Sequence, residues 1–180
     1  ILGKIHEIEV GWVRNSGIPK LGSWITNEKQ SGGGVLIDIG THVIDIGTLF
    51  VEKTKSHSTI LTCGTSDDLE NKQAMWNCNK NKELVNMDVE TWATGQVAFE
   101  NVVLRFNVDW CSEVTEDMTY VRLKGENGSL SLNTLFGFSN NYTRQLIEIM
   151  YVNNMERKSL AQFPLSNMFS IRAFKNLLNS

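Results

Sequence analysis

The segment Ser31-Gly-Gly-Gly-Val-Leu-Ile-Asp-Ile-Gly-Thr-His-Val-Ile-Asp-Ile-Gly-Thr-Leu-Phe50 constrains this chain more than any other stretch. Three glycines open it, and an almost wholly apolar run follows. Three titratable residues interrupt that run, Asp38, His42 and Asp45, at i, i+4 and i+7. On a helix turning about 100° per residue, they lie within roughly 60° of one another. The other faces carry Leu36, Ile37, Ile39, Val43, Ile44, Ile46 and Phe50. A helix apolar on nearly every side is expected in a core. Carboxylates and an imidazole are rarely buried there without partners or a purpose. The expectation is therefore a core helix whose one polar stripe lines a cleft. Gly40 and Gly47 sit nearly opposite the stripe and cost about 1 kcal/mol each in helix propensity. Close packing of another backbone is a reason to keep them.

Two other readings of the stripe stand beside the cleft. Asp38 and His42 could form a self-satisfied pair at the surface. They could also ligate a metal, but no Cys cluster or second His lies nearby in sequence, so no metal site is assigned.

The pattern from Ser31 to Asp45 resembles the signature of the Gfo/Idh/MocA oxidoreductases. There the motif reads Gly-Gly-Gly-x-Leu-x-Asp-x-Gly-x-His-x-x-Asp, and this sequence matches each fixed position. The resemblance extends more loosely from Gly3 to about Phe174. It implies the C-terminal, substrate-binding and oligomerisation domain of a two-domain enzyme, spanning residues 1–180, with the dinucleotide-binding Rossmann domain absent. His42 then matches the family's acid/base and Asp38 the carboxylate that assists it or contacts substrate. Asp45 matches the last fixed Asp, a substrate contact or a structural anchor. NAD or NADP would be held mainly by the missing domain. This chain has no GxGxxG after a strand, no acidic ribose reader and no Glu-Lys-Pro, so the fragment is expected to be inert alone.

Residues 4–14 read as a strand with Ile8, Val10 and Trp12 on one face; His6 receives no role. Residues 15–30 read as a loop, broken by Gly17, Pro19 and Gly22. The Arg14-x-x-Gly-Ile-Pro-x-x-Gly-x-Trp24 pattern resembles a subgroup assigned to sugar-phosphate oxidation in aminosugar pathways. On that likeness Arg14 meets a phosphate or hydroxyl, and Trp24 stacks on a sugar or on nicotinamide. The alternatives are a surface charge and a packing residue. The glycines lack a following Lys-Ser/Thr, so they are no P-loop. Gly33 and Gly34 are read as points of close backbone passage beside substrate or nicotinamide.

Downstream, strands are expected at 56–63, 89–99, 102–110, 120–124, 129–132, 145–152 and 158–163. Residues 64–87 read as a solvated excursion. Turns are expected at Glu100-Asn101, at 125–128 and at Asn153-Asn154. A helix is expected over 168–178. The fold class is α+β: a largely antiparallel open sheet with helices on one face. In the family the other sheet face often packs on a second subunit, so a homo-oligomer is expected. Trp92, Phe99, Phe106 and Trp110 suit either that interface or the core.

A net charge of −3 favours neither nucleic acid nor an anionic membrane surface. No apolar run approaches a membrane span, and no leader is visible. A chain starting at Ile1 reads as an excised fragment, truncated at both ends relative to a full enzyme. Cys63, Cys78 and Cys111 are sparse and form no CxxC, which suits structural thiols in a reducing, cytoplasmic setting. The resulting expectation is the substrate domain of an NAD(P)-dependent dehydrogenase acting on a sugar, sugar phosphate or polyol. A redox-inactive sugar-binding or dimerisation module is the alternative.

Overall fold

A computed structural model describes residues 1–52, 55–67, 69, 71–74, 87–135, 139, 141–142 and 146–164, with backbone only at 146, 147, 163 and 164. Eight strands form one sheet: β1 (Ile5–Val13), β2 (Ser56–Gly64), β3 (Trp92–Phe99), β4 (Val103–Asp109), β5 (Met118–Gly125), β6 (Gly128–Thr134), β7 (Leu146–Val152) and β8 (Arg157–Pro164). Their order is β2-β3-β4-β1-β5-β6-β7-β8. Each pair is antiparallel except β1 with β4, where Ile8 sits beside Leu104 and Val10 beside Phe106. The expected α+β class and open, largely antiparallel sheet are observed. The central parallel pair was not anticipated. Its connection runs through the helix and β2–β3, as a parallel crossover must.

Alternation divides the sheet into two faces. Ile8, Val10 and Trp12 share one with Leu104, Phe106 and Val108 of β4 and with Val121 and Leu123 of β5. Most of these are fully buried. The helix covers this face: a π-helical turn, Leu36–Gly40, runs directly into α2, Thr41–Thr48. A Cβ at Gly47 would lie 2.5 Å from Leu104 Cδ1, and one at Gly40 would lie 3.6 Å from Val108 Cγ2. The two glycines do admit close packing, against side chains of β4 rather than a backbone.

The helix is not apolar-buried all round, contrary to the sequence expectation. Val35, Ile39 and Val43 are buried, but Ile37 is 48% and Leu49 45% exposed. Among the described residues there is one sheet, and it covers one side of the helix. Phe106 and Trp110 belong to the core at 4% and 1% exposure, while Trp92 and Phe99 are half-buried.

The opposite sheet face is polar at its centre. Glu7 and Glu9 of β1 lie between Arg105 of β4 and Arg122 and Lys124 of β5. Arg105 and Lys124 pair with Glu7; Arg122 and Lys124 pair with Glu9 at 3.5 and 3.4 Å.

Other boundaries moved. The 15–30 connection holds a 3₁₀ turn, Trp24–Thr26, and a one-turn helix α1, Glu28–Ser31. Residues 89–91 are not strand. Part of the supposed excursion is a buried strap: Ala74 donates its N–H to Ile18 O at 2.9 Å and is fully buried. The expected helix over 168–178 and Cys78 lie outside the described residues.

Candidate active site

The helix start has no cap from its own sequence, because Val35 supplies no side-chain acceptor. Its first N–H groups must be satisfied from elsewhere. Glu90 does this. Its carboxylate accepts from Gly34 N at 2.9 Å and Leu36 N at 3.0 Å, and its carbonyl accepts from Val35 N at 3.1 Å. A carboxylate at this end also meets the positive pole of the helix. A Cβ on Gly34 would lie 2.1 Å from Glu90 O, so only glycine fits. Beside it, Asp88 caps α1 by accepting Glu28 N at 2.7 Å.

These contacts revise the reading of the glycines. Gly34 is buried, with its N–H and its empty side on Glu90. Gly33 is half-buried; its N–H meets Ser31 Oγ at 3.4 Å and a Cβ there would meet Ile37. Gly32 and Gly33 take φ of 79° and 156°, in the region that favours glycine. The turn thus does not offer the free donors of Gly34 and Leu36 to a dinucleotide phosphate. The Glu90 carboxylate already holds them.

The wide turn then closes with Thr41 N donating to Leu36 O, one residue further back than in an α-helix. Asp38 sits inside it, half-buried. Trp110, at the end of β4, donates its indole N–H to Asp38 Oδ2 at 3.0 Å. His42 and Asp45 are exposed, on the side of the helix away from the sheet. Among the described residues, no hydrogen bond or ion pair joins Asp38 to His42, and the Asp45 carboxylate has no partner. Asp38 and His42 thus do not form the self-satisfied pair that an i,i+4 spacing allows. Asp38 finds its partner in the sheet instead. The arrangement leaves an imidazole and a carboxylate open to a ligand, beside a second carboxylate held by a buried donor.

The two loop candidates separate. Trp24 is 63% exposed on its 3₁₀ turn. Arg14 is 8% exposed and is not a surface charge. Its Nε donates to Asp117 Oδ2 at 3.3 Å, within a cluster where Asp117 also accepts from Asn15 N, Ser139 Oγ and Asn141 Nδ2.

Sequence reasoning missed Glu90 and Trp110. Neither carries a spacing signal, because each reaches the helix across more than fifty residues of chain. Beside Trp110, burial raises both the Asp109 carboxyl and the Cys111 thiol above their ordinary values. The Cys111 thiol donates to Ser66 Oγ at 3.2 Å.

Comparison with known proteins gives a consistent picture. Residues 1–131 match the family model described as the GFO/IDH/MocA C-terminal domain. Over 144 residues the chain is 33% identical to a protein of Amycolatopsis mediterranei (strain S699) assigned as a UDP-kanosamine synthase oxidoreductase subunit. That match covers 78% of this chain and 39% of the relative. Among solved structures, a levoglucosan dehydrogenase in complex with NADH and levoglucosan superposes with a TM-score of 0.60 at 15% identity, covering 91% of this chain and 40% of that one. A 3-ketoreductase from Actinomadura kijaniata, in complex with NADP and TDP-benzene, gives 0.61 at 14% identity, covering 98% and 45%. The structural likenesses show the fold. The chain spans less than half the length of each of these relatives.

Proposed function

The chain belongs to the GFO/IDH/MocA family through its C-terminal domain, and from that premise we propose that it is the substrate domain of a cytoplasmic NAD(P)-dependent oxidoreductase acting on a hydroxyl of a sugar, sugar phosphate or polyol. One observation carries the reading. His42 and Asp45 stand open on the free side of a helix whose other carboxylate, Asp38, is held by a buried indole.

Oxidising an alcohol removes a hydride from carbon and a proton from oxygen. A nicotinamide, when bound, accepts the hydride. This chain's residues handle the rest. His42 takes the hydroxyl proton, a general-base role that an exposed imidazole can fill. Asp38 presents a carboxylate fixed by Trp110 to the substrate or to the imidazolium that forms. Asp45 accepts a second substrate hydroxyl. Trp24 offers an exposed ring for stacking on a sugar or on nicotinamide. Gly33, the more exposed of the two glycines first considered, is the point of close passage for nicotinamide. Arg14 is not included, because Asp117 engages it.

The exposed Ile37 and Leu49 support the view that a further domain covers the free side of the helix and brings the cofactor. Alone, this chain is inert. The likeness to a protein assigned as a UDP-kanosamine synthase oxidoreductase subunit supports including nucleotide-linked sugars among the substrates tried. The open sheet face, with its charged centre, is proposed as the contact with a second subunit.

The test uses the full-length parent with its dinucleotide domain. Reduced-nicotinamide absorbance is followed against sugars, sugar phosphates, nucleotide sugars and inositols, with NAD and NADP in parallel. His42→Ala should cost about 10²–10⁴-fold in turnover with cofactor binding retained. Unchanged turnover would remove His42 from the chemistry, whereas silence across the whole panel with cofactor still bound would favour the redox-inactive binding or dimerisation module.

A further inference from the structure

We propose that Glu90 and Trp110 are positioning residues for the active helix. Together they hold the π-helical turn open and so set the phase between Asp38 and His42. The inference rests on the roles given to those two residues above, and deepens them.

Glu90 accepts three successive N–H groups, from Gly34, Val35 and Leu36, at 2.9, 3.1 and 3.0 Å. That fixes where the helix starts. Trp110 holds Asp38 Oδ2 at 3.0 Å and is 1% exposed, so its ring has no room to follow a moving carboxylate. The two holds share one base. Trp110 N donates to Thr91 O at 3.0 Å, and Thr91 is the next residue after Glu90. On its other side, Trp110 O accepts from Gly17 N at 2.7 Å. The start of the turn and its central acid are thus pinned from the same end of the sheet, one residue apart.

A wide turn carries one residue more than a regular one. Relaxing it slides one flank of the helix by a residue, about 100° of rotation. Asp38 lies inside the Leu36–Thr41 closure and His42 one residue beyond it. A π-turn left unsupported would therefore give up its phase, and the two groups would no longer address one substrate.

The experiment uses the full-length parent and the variants Glu90→Gln and Trp110→Phe. Glu90→Gln keeps the shape but turns an amide NH₂ toward backbone N–H donors. Trp110→Phe keeps an aromatic ring and removes the one donor. Each should lower kcat about 10–100-fold, as expected for reacting groups displaced by around an ångström. Sugar KM, cofactor affinity and thermal midpoint should stay near wild type, a split that a purely structural role would not produce. A second readout is independent of turnover. The indole N–H resonance that disappears in Trp110→Phe should shift in both Asp38→Asn and Glu90→Gln. If Glu90→Gln does not fold, Trp110→Phe and the resonance decide.

Wild-type kcat in both variants, with His42→Ala inactive, overturns the positioning role and leaves the proposed function intact. An indole resonance indifferent to Asp38→Asn overturns it as well. Full activity in His42→Ala removes the role given to His42 and this inference together.

Discussion

Arg14 and Asp117 form an ion pair at 3.3 Å with only 10% and 2% of their side chains exposed. Asp117 also gathers Asn15, Ser139 and Asn141, so it ties the end of β1 to the loops on either side of β5 and β6. Removing one member of a buried pair strands the other charge. Asp117→Ala should cost about 3–5 kcal/mol in urea denaturation of the chain. A loss below about 1 kcal/mol, the size of an exposed pair, would show that water reaches the cluster.

The charged centre of the open sheet face predicts an acid-sensitive element. The Lys124 ammonium hydrogen-bonded to Glu7, aided by Arg105 and opposed by partial burial, lowers the Glu7 carboxyl from an ordinary 4.5 to about 2. A carboxyl depressed in the folded state stabilises above its unfolded value, and that stabilisation is lost as pH falls from 4.5 toward 2. Wild type should lose more stability than Lys124→Met over that window. Parallel curves would dissociate Glu7 from the effect. High salt should narrow the difference, since the cationic partners are about half exposed.

Two glycines of the same helix should respond oppositely to one added methyl. At Gly34 the new Cβ would lie 2.1 Å from the carbonyl oxygen of Glu90, a backbone atom that cannot step aside. Gly34→Ala should cost at least the roughly 1–3 kcal/mol of an overpacked core. At Gly47 the obstacle is Leu104 Cδ1, the end of a side chain with other rotamers. A helix-propensity gain of about 1 kcal/mol offsets the repacking, so Gly47→Ala should be close to neutral. Equal losses in thermal denaturation would contradict this account.

The thiols should differ in reactivity. Burial raises the Cys111 thiol and leaves it 4% exposed, whereas Cys63 is exposed on β2. In a Cys78→Ser background, a disulfide reagent at mild alkaline pH should titrate Cys63 promptly and Cys111 only on unfolding. Prompt release of two equivalents would mean that the Cys111 region opens readily.

What the sequence made legible was local. Alternation placed Ile8, Val10 and Trp12 on one face, and the hairpin strands fell within a few residues of their observed ends. The Gly40–Gly47 spacing anticipated a tightly packed helix side. What it hid was long-range. A period of 3.6 cannot reveal one extra residue in a turn, nor that Asp38 takes its hydrogen-bond donor from the sheet. Glu90 and Trp110 act across long separations and look like any acid and any core aromatic. The surface-charge alternative for Arg14 failed because its counter-charge, Asp117, lies 103 residues away and is invisible to spacing. The apolar run of the helix was read as all-round burial, yet among the described residues one sheet packs one side of it. The family signature in the glycine-rich segment carried what local physics could not.

The parallel pairing of β1 with β4 has a consequence for how the chain acquires its structure. Strands β3 and β4, β5 and β6, and β7 and β8 meet neighbours a few residues away and can zip as hairpins. β1 borders β4 and β5, with Ile8 opposite both Leu104 and Leu123. It emerges from the ribosome before either. About a hundred residues must follow before its centre is paired, and contacts of such separation form slowly. Until then Ile8, Val10 and Trp12 remain uncovered, a sticky ribbon for which holding chaperones have affinity. The strand at the middle of the finished sheet is thus the one that waits longest in the nascent chain.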